Sequence, residues 1–168
     1  ARLLVSAVEH DSVRLNAAGA ATVPVDRHGV VDLAALERLL DAADGGPCLV
    51  SLMLANNETG VIQPVAEAAA IARAHGARLH CDAVQAAGKI AVDIVALGVD
   101  MLSIGAHKFE GPKGVGALYL RQGTHILAQQ QGGAQERLRR AGTENVAGAV
   151  GLAAAYDLSC EERPETVR

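Results

Sequence analysis

The sequence of 168 residues has very few aromatic side chains: two tyrosines, one phenylalanine and no tryptophan. Half of its residues are nevertheless hydrophobic, so aliphatic side chains must fill the core. This length is enough for one domain with a buried core and too short for two full enzyme domains.

Strong charge of one sign and long apolar runs are also missing. The formal net charge is −4, and no basic patch runs along the chain, which argues against nucleic acid as a partner. No apolar run reaches the roughly 18 residues that a membrane-spanning helix needs. The composition therefore favours neither a nucleic-acid-binding nor a membrane protein.

Cysteine is scarce, and its three positions, Cys48, Cys81 and Cys160, are odd in number and widely spaced. This number and spacing argue against a disulfide framework, and a reducing, cytoplasmic location is expected. No Cys-x-x-Cys or paired-histidine spacing is present, so no metal site is predicted, although His80 and Asp82 would share one side of a strand.

Apolar, β-branched runs alternate with helical patterns along the chain. Strand followed by helix is typical of an α/β fold with a mostly parallel sheet flanked by helices. The predicted strands are 3–8, 49–54, 78–82, 100–104 and 115–120, with a short extended piece at 22–25. The predicted helices are 12–21, a segment that begins at 32, 64–75 and 146–158.

Polar or ionisable residues follow four of the predicted strands. They are His10, the segment 56–60, the segment 82–85 and the segment 105–108. Functional residues of parallel sheets gather at the carboxyl ends of the strands. Four such segments in succession predict one shared cleft.

Lys108 is the residue of this set that most strongly suggests chemistry. The chain has only three lysines, and an amine directly after a buried strand is costly to place but useful as a Schiff-base former with a carbonyl cofactor. Pyridoxal phosphate also needs an anionic partner for its ring nitrogen, and Asp82 is the candidate. His10 is suited to stack on the ring, and Asn57, Gln85 and His107 offer hydrogen bonds.

Each of these residues also has a structural interpretation. Lys108 is equally compatible with a surface lysine in a glycine-rich turn, and Asp82 with a helix N-cap. Asn57 is compatible with an Asx turn that leads into Gly60, and His10 with a helix cap. The local sequence alone leaves these alternatives open.

Five ordered segments carry a resemblance to a known family: VEHDSV, NNETGVIQP, HCDAVQAAGK, GAHKFEGPKGVGALYL and QERLRRAGTENV, at 8–13, 56–64, 80–89, 105–120 and 135–146. In order and spacing they resemble the cysteine desulfurases of the class V aminotransferases. The resemblance implies a homodimer with a fold type I large domain that binds pyridoxal 5'-phosphate.

The resemblance also implies a role for each site residue. Lys108 matches the Schiff-base lysine, and Asp82 matches the partner of the ring nitrogen. The other matching residues are ligands of the cofactor: Gln85 and Asn57 near the ring oxygen, His10 stacked on the ring, His107 at the phosphate, and Thr143 at the phosphate of the neighbouring subunit. Lys108 and His10 are the expected proton carriers.

Three features depart from the family pattern. Gly105 occupies the position of a serine that supplies a hydroxyl to the phosphate. The glycine-rich phosphate loop would precede residue 1, and the small domain with the persulfide-forming cysteine would follow residue 168. Residues 1–168 are therefore expected to form part of a large domain.

The implied activity is conversion of L-cysteine to L-alanine, with the sulfur passed as a persulfide to an acceptor protein for iron–sulfur cluster assembly or another sulfur delivery. The chain alone is expected to be inactive, because none of its cysteines lies in a mobile, thiolate-promoting loop. The alternatives are a selenocysteine lyase or another class V enzyme, and a truncated module without catalysis.

Overall fold

A single six-stranded sheet forms the centre of the computed structural model, which describes residues 1–43 and 45–163. The strand order is β2-β1-β3-β4-β5-β6, and all neighbours are parallel except β5 and β6. The strands are β1 (Arg2–Ser6), β2 (Ala21–Val23), β3 (Cys48–Met53), β4 (Arg78–Asp82), β5 (Met101–Gly105) and β6 (Gly116–Leu120).

Six α-helical segments and one 3₁₀ turn accompany the strands in the described residues, and the last two of these helical segments follow β6. They are α1 (Asp11–Arg14), α2 (Leu33–Asp41), α3 (Val65–Ala74), α4 (Ile94–Leu97), the 3₁₀ turn (Ala106–Phe109), α5 (Gln135–Leu138) and α6 (Val146–Glu161). Three consecutive residues at α5, Glu136 to Leu138, have positive φ, so this segment is not a regular right-handed helix. In the part of the chain that the structure describes, no helix is both long and apolar enough to cross a membrane.

The register of the strands separates two faces of the sheet. Because side chains alternate along a strand, residues paired across neighbouring strands lie on the same face. The apolar face comprises Leu4, Val50, Leu52, Leu79, Cys81 and Leu102. The polar face comprises Ser51, Met53, His80, Asp82 and Ser103.

Helices α2 and α3 cover the apolar face. The carboxylate of Asp32 accepts a hydrogen bond from the backbone N–H of Ala35, which caps the first turn of α2. Leu36 and Leu40 then bury their side chains one helical turn apart in the main core. The small side chains of Ala68 and Ala72 let α3 approach the sheet closely.

The predicted fold class is confirmed, and most strands lie within two residues of their predicted bounds. The predicted helix at 12–21 is wrong beyond Arg14, because Leu15 is exposed and Gly19 adopts a positive φ of 78°. Such a segment has neither an apolar face to bury nor a helical backbone. Pro64 is the N-cap of α3, whereas its fixed φ had suggested the first helical position.

Candidate active site

The candidate site lies at the carboxyl ends of β1, β3, β4 and β5, which are adjacent in the sheet. Asp82 is the last residue of β4 and only 9% exposed. Its Oδ1 accepts a hydrogen bond of 2.9 Å from the backbone N–H of Val84, which forms an Asx turn. The helix N-cap interpretation of Asp82 is wrong, because residues 84–89 form turns and no helix begins there. Among the described residues no donor contacts Oδ2, which leaves the second oxygen of this mostly buried residue available to a ligand.

His10 follows β1 and caps the short helix α1. Its Nδ1 accepts a hydrogen bond from the backbone N–H of Ser12 at 3.1 Å and lies 2.9 Å from the Ser12 hydroxyl. His10 is therefore the N-cap of α1, as its structural interpretation predicted. The imidazole is exposed, so its ring face and Nε2 remain accessible.

The Asx turn after β3 is formed by Asn56, not by Asn57. Asn56 Oδ1 accepts hydrogen bonds from the backbone N–H groups of Glu58 and Thr59, and its amide donates to the carbonyl of Val8. Asn57 is exposed, and none of these turn contacts uses its side chain. Its amide is therefore presented at the edge by a rigid turn.

Gln85 is oriented by a neighbouring lysine. Lys89 Nζ donates to Gln85 Oε1 at 2.6 Å, which turns the Gln85 amide so that its N–H groups face away from Lys89. Partial burial lowers the pKa of Lys89, and the nearby charge of Lys108 lowers it further. The two ammonium groups therefore lie close enough to repel each other.

Lys108 and His107 lie in the 3₁₀ turn that follows β5. Lys108 is half-buried and lines a cleft of about 590 Å³ together with Lys89, Phe109 and the last turn of α6. Asp82 and His10 are not among the residues that line this cleft. The structure thus brings Lys108 to the same edge as Asp82 but shows no direct contact between them.

Gly88 sets the position of this lysine pair. It has a φ of +78°, and a Cβ at this position would lie 2.6 Å from both Phe109 Cβ and Ser159 Oγ. Only glycine permits so close an approach of the turn to the 3₁₀ turn and to α6. The adjacent Lys89 is thereby held beside Lys108.

Thr143 lies outside this cluster. It is exposed in the segment between β6 and α6, where Gln135 Oε1 accepts a hydrogen bond of 3.3 Å from the backbone N–H of Gly142. No hydrogen bond links Thr143 to the strand ends within residues 1–43 and 45–163. Its assignment to a phosphate of the neighbouring subunit stays a prediction.

A buried polar network next to the site was missed by the sequence interpretation. The carboxylate of Glu9, 5% exposed, accepts hydrogen bonds from the Ser6 hydroxyl at 2.8 Å, the Met53 backbone N–H at 2.6 Å and the Ser51 hydroxyl at 3.3 Å. Burial raises the pKa of Glu9 against the opposing effect of the hydrogen bonds from Met53 and Ser6, and the charge of Asp82 raises it further.

His80 continues the same network across the sheet. Its Nδ1 lies 2.9 Å from Ser51 Oγ, and its Nε2 lies 2.8 Å from Ser103 Oγ. Burial lowers the pKa of His80, so the neutral imidazole is favoured. Polar residues at alternate positions of otherwise apolar strands were the signal that could have revealed this network.

The three cysteines are unpaired. Cys48 and Cys81 are buried in the main core, and burial raises the pKa of both thiols, so thiolate formation is disfavoured. Cys160 is half-buried in α6. None has the exposed, thiolate-promoting environment of a sulfur-transferring cysteine.

The donors and acceptors at this edge suit pyridoxal phosphate. Asp82 offers a carboxylate oxygen that no donor among the described residues contacts, which suits a protonated ring nitrogen. Gln85 and Asn57 offer amide N–H groups for a ring oxygen. The amine of Lys108 suits an aldehyde, and the imidazole of His107 suits a phosphate as a hydrogen-bond donor. The residues present therefore fit this cofactor.

Fold and site together define an α/β domain whose functional residues line the carboxyl edge of a mostly parallel sheet. The family profile described as aminotransferase class-V matches residues 1–164. Because this match spans nearly the whole sequence, the chain belongs to the class V aminotransferase family.

Relatives of the chain carry a more specific name. It is 47% identical over 167 residues to a cysteine desulfurase of Sinorhizobium fredii, an alignment that covers 95% of this chain and 42% of that protein. It is 43% identical to the cysteine desulfurase IscS of Methanosarcina thermophila, over 99% of this chain and 42% of the relative. The chain thus spans less than half the length of these relatives, whose names do not favour the selenocysteine lyase alternative.

Solved structures show the same fold. A NifS-like protein from Rickettsia africae superposes with a TM-score of 0.92 at 38% identity, covering 98% of this chain and 46% of that structure. DndA from Streptomyces lividans superposes with a TM-score of 0.79 at 36% identity, covering 96% of this chain and 48% of the other. The predicted family and the predicted α/β fold with a mostly parallel sheet are both confirmed.

Proposed function

We propose that this chain forms the cofactor-binding part of a pyridoxal-phosphate-dependent cysteine desulfurase that acts on L-cysteine. The proposal is carried by the mostly buried Asp82, which lies on the same sheet edge as Lys108. One of its carboxylate oxygens is contacted by no donor within residues 1–43 and 45–163. The cysteine desulfurase names of the relatives supply the substrate and the reaction class.

Each site residue has a defined task in this proposal. Asp82 accepts a hydrogen bond from the ring nitrogen, and the amine of Lys108 holds the aldehyde. The ring oxygen is bound by Asn57 and Gln85, and the phosphate by His107. When bound, the cofactor supplies an electron sink for reactions at the α-carbon of an amino acid.

Two basic side chains are suited to carry protons at this edge. Lys108 Nζ accepts or returns a proton once its amine is free, and the accessible Nε2 of His10 is the alternative carrier because Nδ1 is engaged with Ser12. The ring face of His10 is available to stack on the cofactor. Both assignments extend the predicted roles of these residues.

The sulfur step is proposed to need a cysteine that this chain does not supply. Cys48 and Cys81 are buried, and Cys160 is half-buried on a helix. We therefore propose that the chain alone releases no alanine from L-cysteine, even with excess pyridoxal phosphate. Release above the rate given by free cofactor would overturn this statement.

Assembly and location extend the same proposal. A homodimer, in which Thr143 contacts the phosphate of the neighbouring subunit, and a sulfur-acceptor protein linked to iron–sulfur cluster assembly are proposed from the family and the IscS name of relatives. A cytoplasmic location is proposed from the three unpaired cysteines. The place of residues 1–168 within a larger domain is proposed from the share of the relatives that they cover.

The decisive experiment identifies the lysine that reacts with the cofactor. Lys89 is a genuine competitor of Lys108, because its pKa is lowered by burial and by Lys108, and both amines line one cleft. The protein is treated with pyridoxal phosphate, reduced with borohydride and mapped by peptide mass spectrometry. The pyridoxyl group is expected on Lys108.

Two variants serve as matched controls. Lys108→Arg should abolish labelling at neutral pH, whereas Lys113→Arg should leave it unchanged, because Lys113 lies in an exposed turn. If the Lys108→Arg variant is still labelled as strongly as the wild type, and the label is on Lys89, then Lys89 and not Lys108 reacts with the cofactor. This result would reject the proposed site.

A further inference from the structure

The loop that carries His10 is fastened to the sheet by the side chain of the preceding residue. Glu9 follows β1 and is only 5% exposed. Its Oε1 accepts hydrogen bonds from the Ser6 hydroxyl at 2.8 Å and from the backbone N–H of Met53 at 2.6 Å. Its Oε2 accepts from the Ser51 hydroxyl at 3.3 Å. One side chain of the loop therefore contacts both β1 and β3.

The strand register explains why a carboxylate is needed here. The ladder between β1 and β3 ends at the pair Val5 and Ser51, two residues before Met53. The next residue, Leu54, donates its N–H to a carbonyl of β4, so the N–H of Met53 faces the side of β1. Because Met53 is 2% exposed, leaving this N–H without an acceptor would be costly. Glu9 supplies the acceptor that the backbone of β1 no longer offers.

The residues on either side of His10 are held as well. The amide of Asn56, in the turn after β3, donates to the carbonyl of Val8 at 3.1 Å. Val8 and Glu9 are thus tied to β3 and its turn immediately before His10. On the other side, the imidazole contacts Ser12 through the cap of α1. The position of His10 is therefore set from both ends, and Glu9 is the buried end.

Glu9 has no contact that would give it a direct role with a ligand. Within the described residues its carboxylate is engaged by three donors of the protein itself, on Ser6, Ser51 and Met53. An effect of Glu9 on binding must therefore pass through the residue that its contacts hold in place.

We propose that Glu9 is a positioning residue whose carboxylate fastens the loop after β1 to β3 and so fixes where His10 presents its ring to a planar ligand. The part that concerns the cofactor rests on the proposed function. The fastening itself depends only on the chain's own residues.

The first test is NMR of the protein without cofactor. In the wild type, a scalar coupling is expected across the hydrogen bond between the Met53 backbone nitrogen and the Glu9 carboxyl carbon, and its absence overturns the proposal. Glu9→Met keeps the length of the side chain but removes the acceptor, so the ring resonances of His10 should shift. The matched control Glu67→Met, at an exposed position of α3, should leave them unchanged. Unchanged His10 resonances in a folded Glu9→Met protein overturn the proposal.

A conservative variant separates the contact from the charge. In Glu9→Gln, the amide oxygen can still accept from Ser6 and Met53, and the amide nitrogen can donate to the Ser51 hydroxyl. The His10 resonances and the cofactor affinity should therefore stay close to those of the wild type. If Glu9→Gln changes both as much as Glu9→Met does, the charge of Glu9 and not its fastening contact is responsible, which overturns the proposal.

The second test measures pyridoxal phosphate binding by absorbance titration. Glu9→Met is expected to weaken binding about tenfold, because a displaced imidazole loses its stacking contact. In a His10→Ala background the same substitution should change the affinity by less than about twofold, since Glu9 acts through His10. An equal loss with and without His10 overturns the proposal. Absence of any binding in the wild type rejects the proposed function and leaves the NMR result intact.

Ser6→Ala decides the proposal if Glu9→Met does not fold. It removes one of the three donors to Glu9 and leaves the contact with Met53. A smaller shift of the His10 resonances is expected, with an affinity loss of about threefold that disappears in the His10→Ala background. An unchanged ring and affinity, or a loss that persists without His10, overturns the proposal.

Discussion

The two faces of the central sheet are built from the same strands but have different tasks. On the apolar face Leu52, Cys81 and Leu102 form a row of register partners that packs against the helices. One position along, the row formed by Met53, Asp82 and Ser103 is on the polar face and contains the candidate site. A shift of one residue in register would exchange the two.

This contrast separates stability from chemistry within single strands. In β4, Leu79 and Cys81 pack in the core. The alternate residues His80 and Asp82 make polar contacts on the other face. Burial on one face pins the register, and the register places the polar groups on the other face. Substitutions on the two faces should therefore have different consequences, and each prediction below tests that difference.

The largest effect on stability is expected from Leu79→Ala. Leu79 is 1% exposed in the main core, so truncation should lower the free energy of unfolding by about 2–5 kcal/mol. The matched control is Leu118→Ala on the polar face of β6, where the leucine is 48% exposed and a change within about 0.5 kcal/mol is expected. Equal losses in urea denaturation would contradict the division between the faces.

The next effect is a gain in cofactor affinity from Gly105→Ser. Gly105 has a φ of −132°, which any residue adopts, and a Cβ would meet atoms of His107 and Val84 at 3.5 Å or more. A new hydroxyl to the phosphate should contribute about 1.5–3 kcal/mol, or ten- to a hundredfold in the dissociation constant of pyridoxal phosphate. Gly105→Ala adds the Cβ without the hydroxyl, and an equal gain there would refute the hydrogen-bond explanation.

Cys81→Ser should destabilise the protein by about 1–3 kcal/mol, because a hydroxyl would replace a thiol that is 0% exposed among aliphatic side chains. Cys160→Ser, on the half-buried side of α6, should change the free energy of unfolding by less than about 0.5 kcal/mol. Thermal unfolding of both variants measures the two losses of stability. A larger loss for Cys160→Ser than for Cys81→Ser would contradict the assignment of Cys81 to the main core.

The smallest effect is the pH dependence contributed by two histidines. The carbonyl of Ile71, and then Asp41, raise the pKa of His75 above 6.5, so its stabilisation is complete below pH 6.5 and lost as the pH rises through the folded value. Burial lowers the pKa of His80, so its contribution is present above pH 6.5 and lost as the pH falls.

The free energy of unfolding is measured at pH values below and above 6.5 for the wild type, His75→Gln and His80→Gln. Each variant's value is subtracted from that of the wild type at the same pH. The two differences should slope in opposite directions. Parallel slopes would show that one of the two environments is incorrectly assigned.

Sequence patterns predicted the sheet well because its signals are local. The segment that ends at Asp82 alternates polar and apolar residues between Gly76 and a turn, and β4 has the predicted bounds of 78–82. The parallel arrangement follows from strands separated by helices. Helix α1 was predicted too long, because the spacing of apolar residues in 12–21 does not tell whether another element packs against them.

The residues of the candidate site could be selected one by one from the sequence, but the contacts between them could not. Asp82, Lys108 and His10 could be selected from their positions after strands and from the family resemblance. The network of Glu9 and His80 depends on which strands are neighbours, and a single sequence does not encode that order locally. Long-range contacts, 29 residues apart for Ser51 and His80, are the part that requires the fold.

The cap that His10 forms on α1 has a consequence for the thermodynamics of ligand binding. Ordering a side chain on association costs about 0.5–1.5 kcal/mol of conformational entropy. The imidazole of His10 is already fixed by two contacts with Ser12 before any ligand arrives. That entropy is lost during folding, so a ring that stacks on His10 meets a preorganised surface.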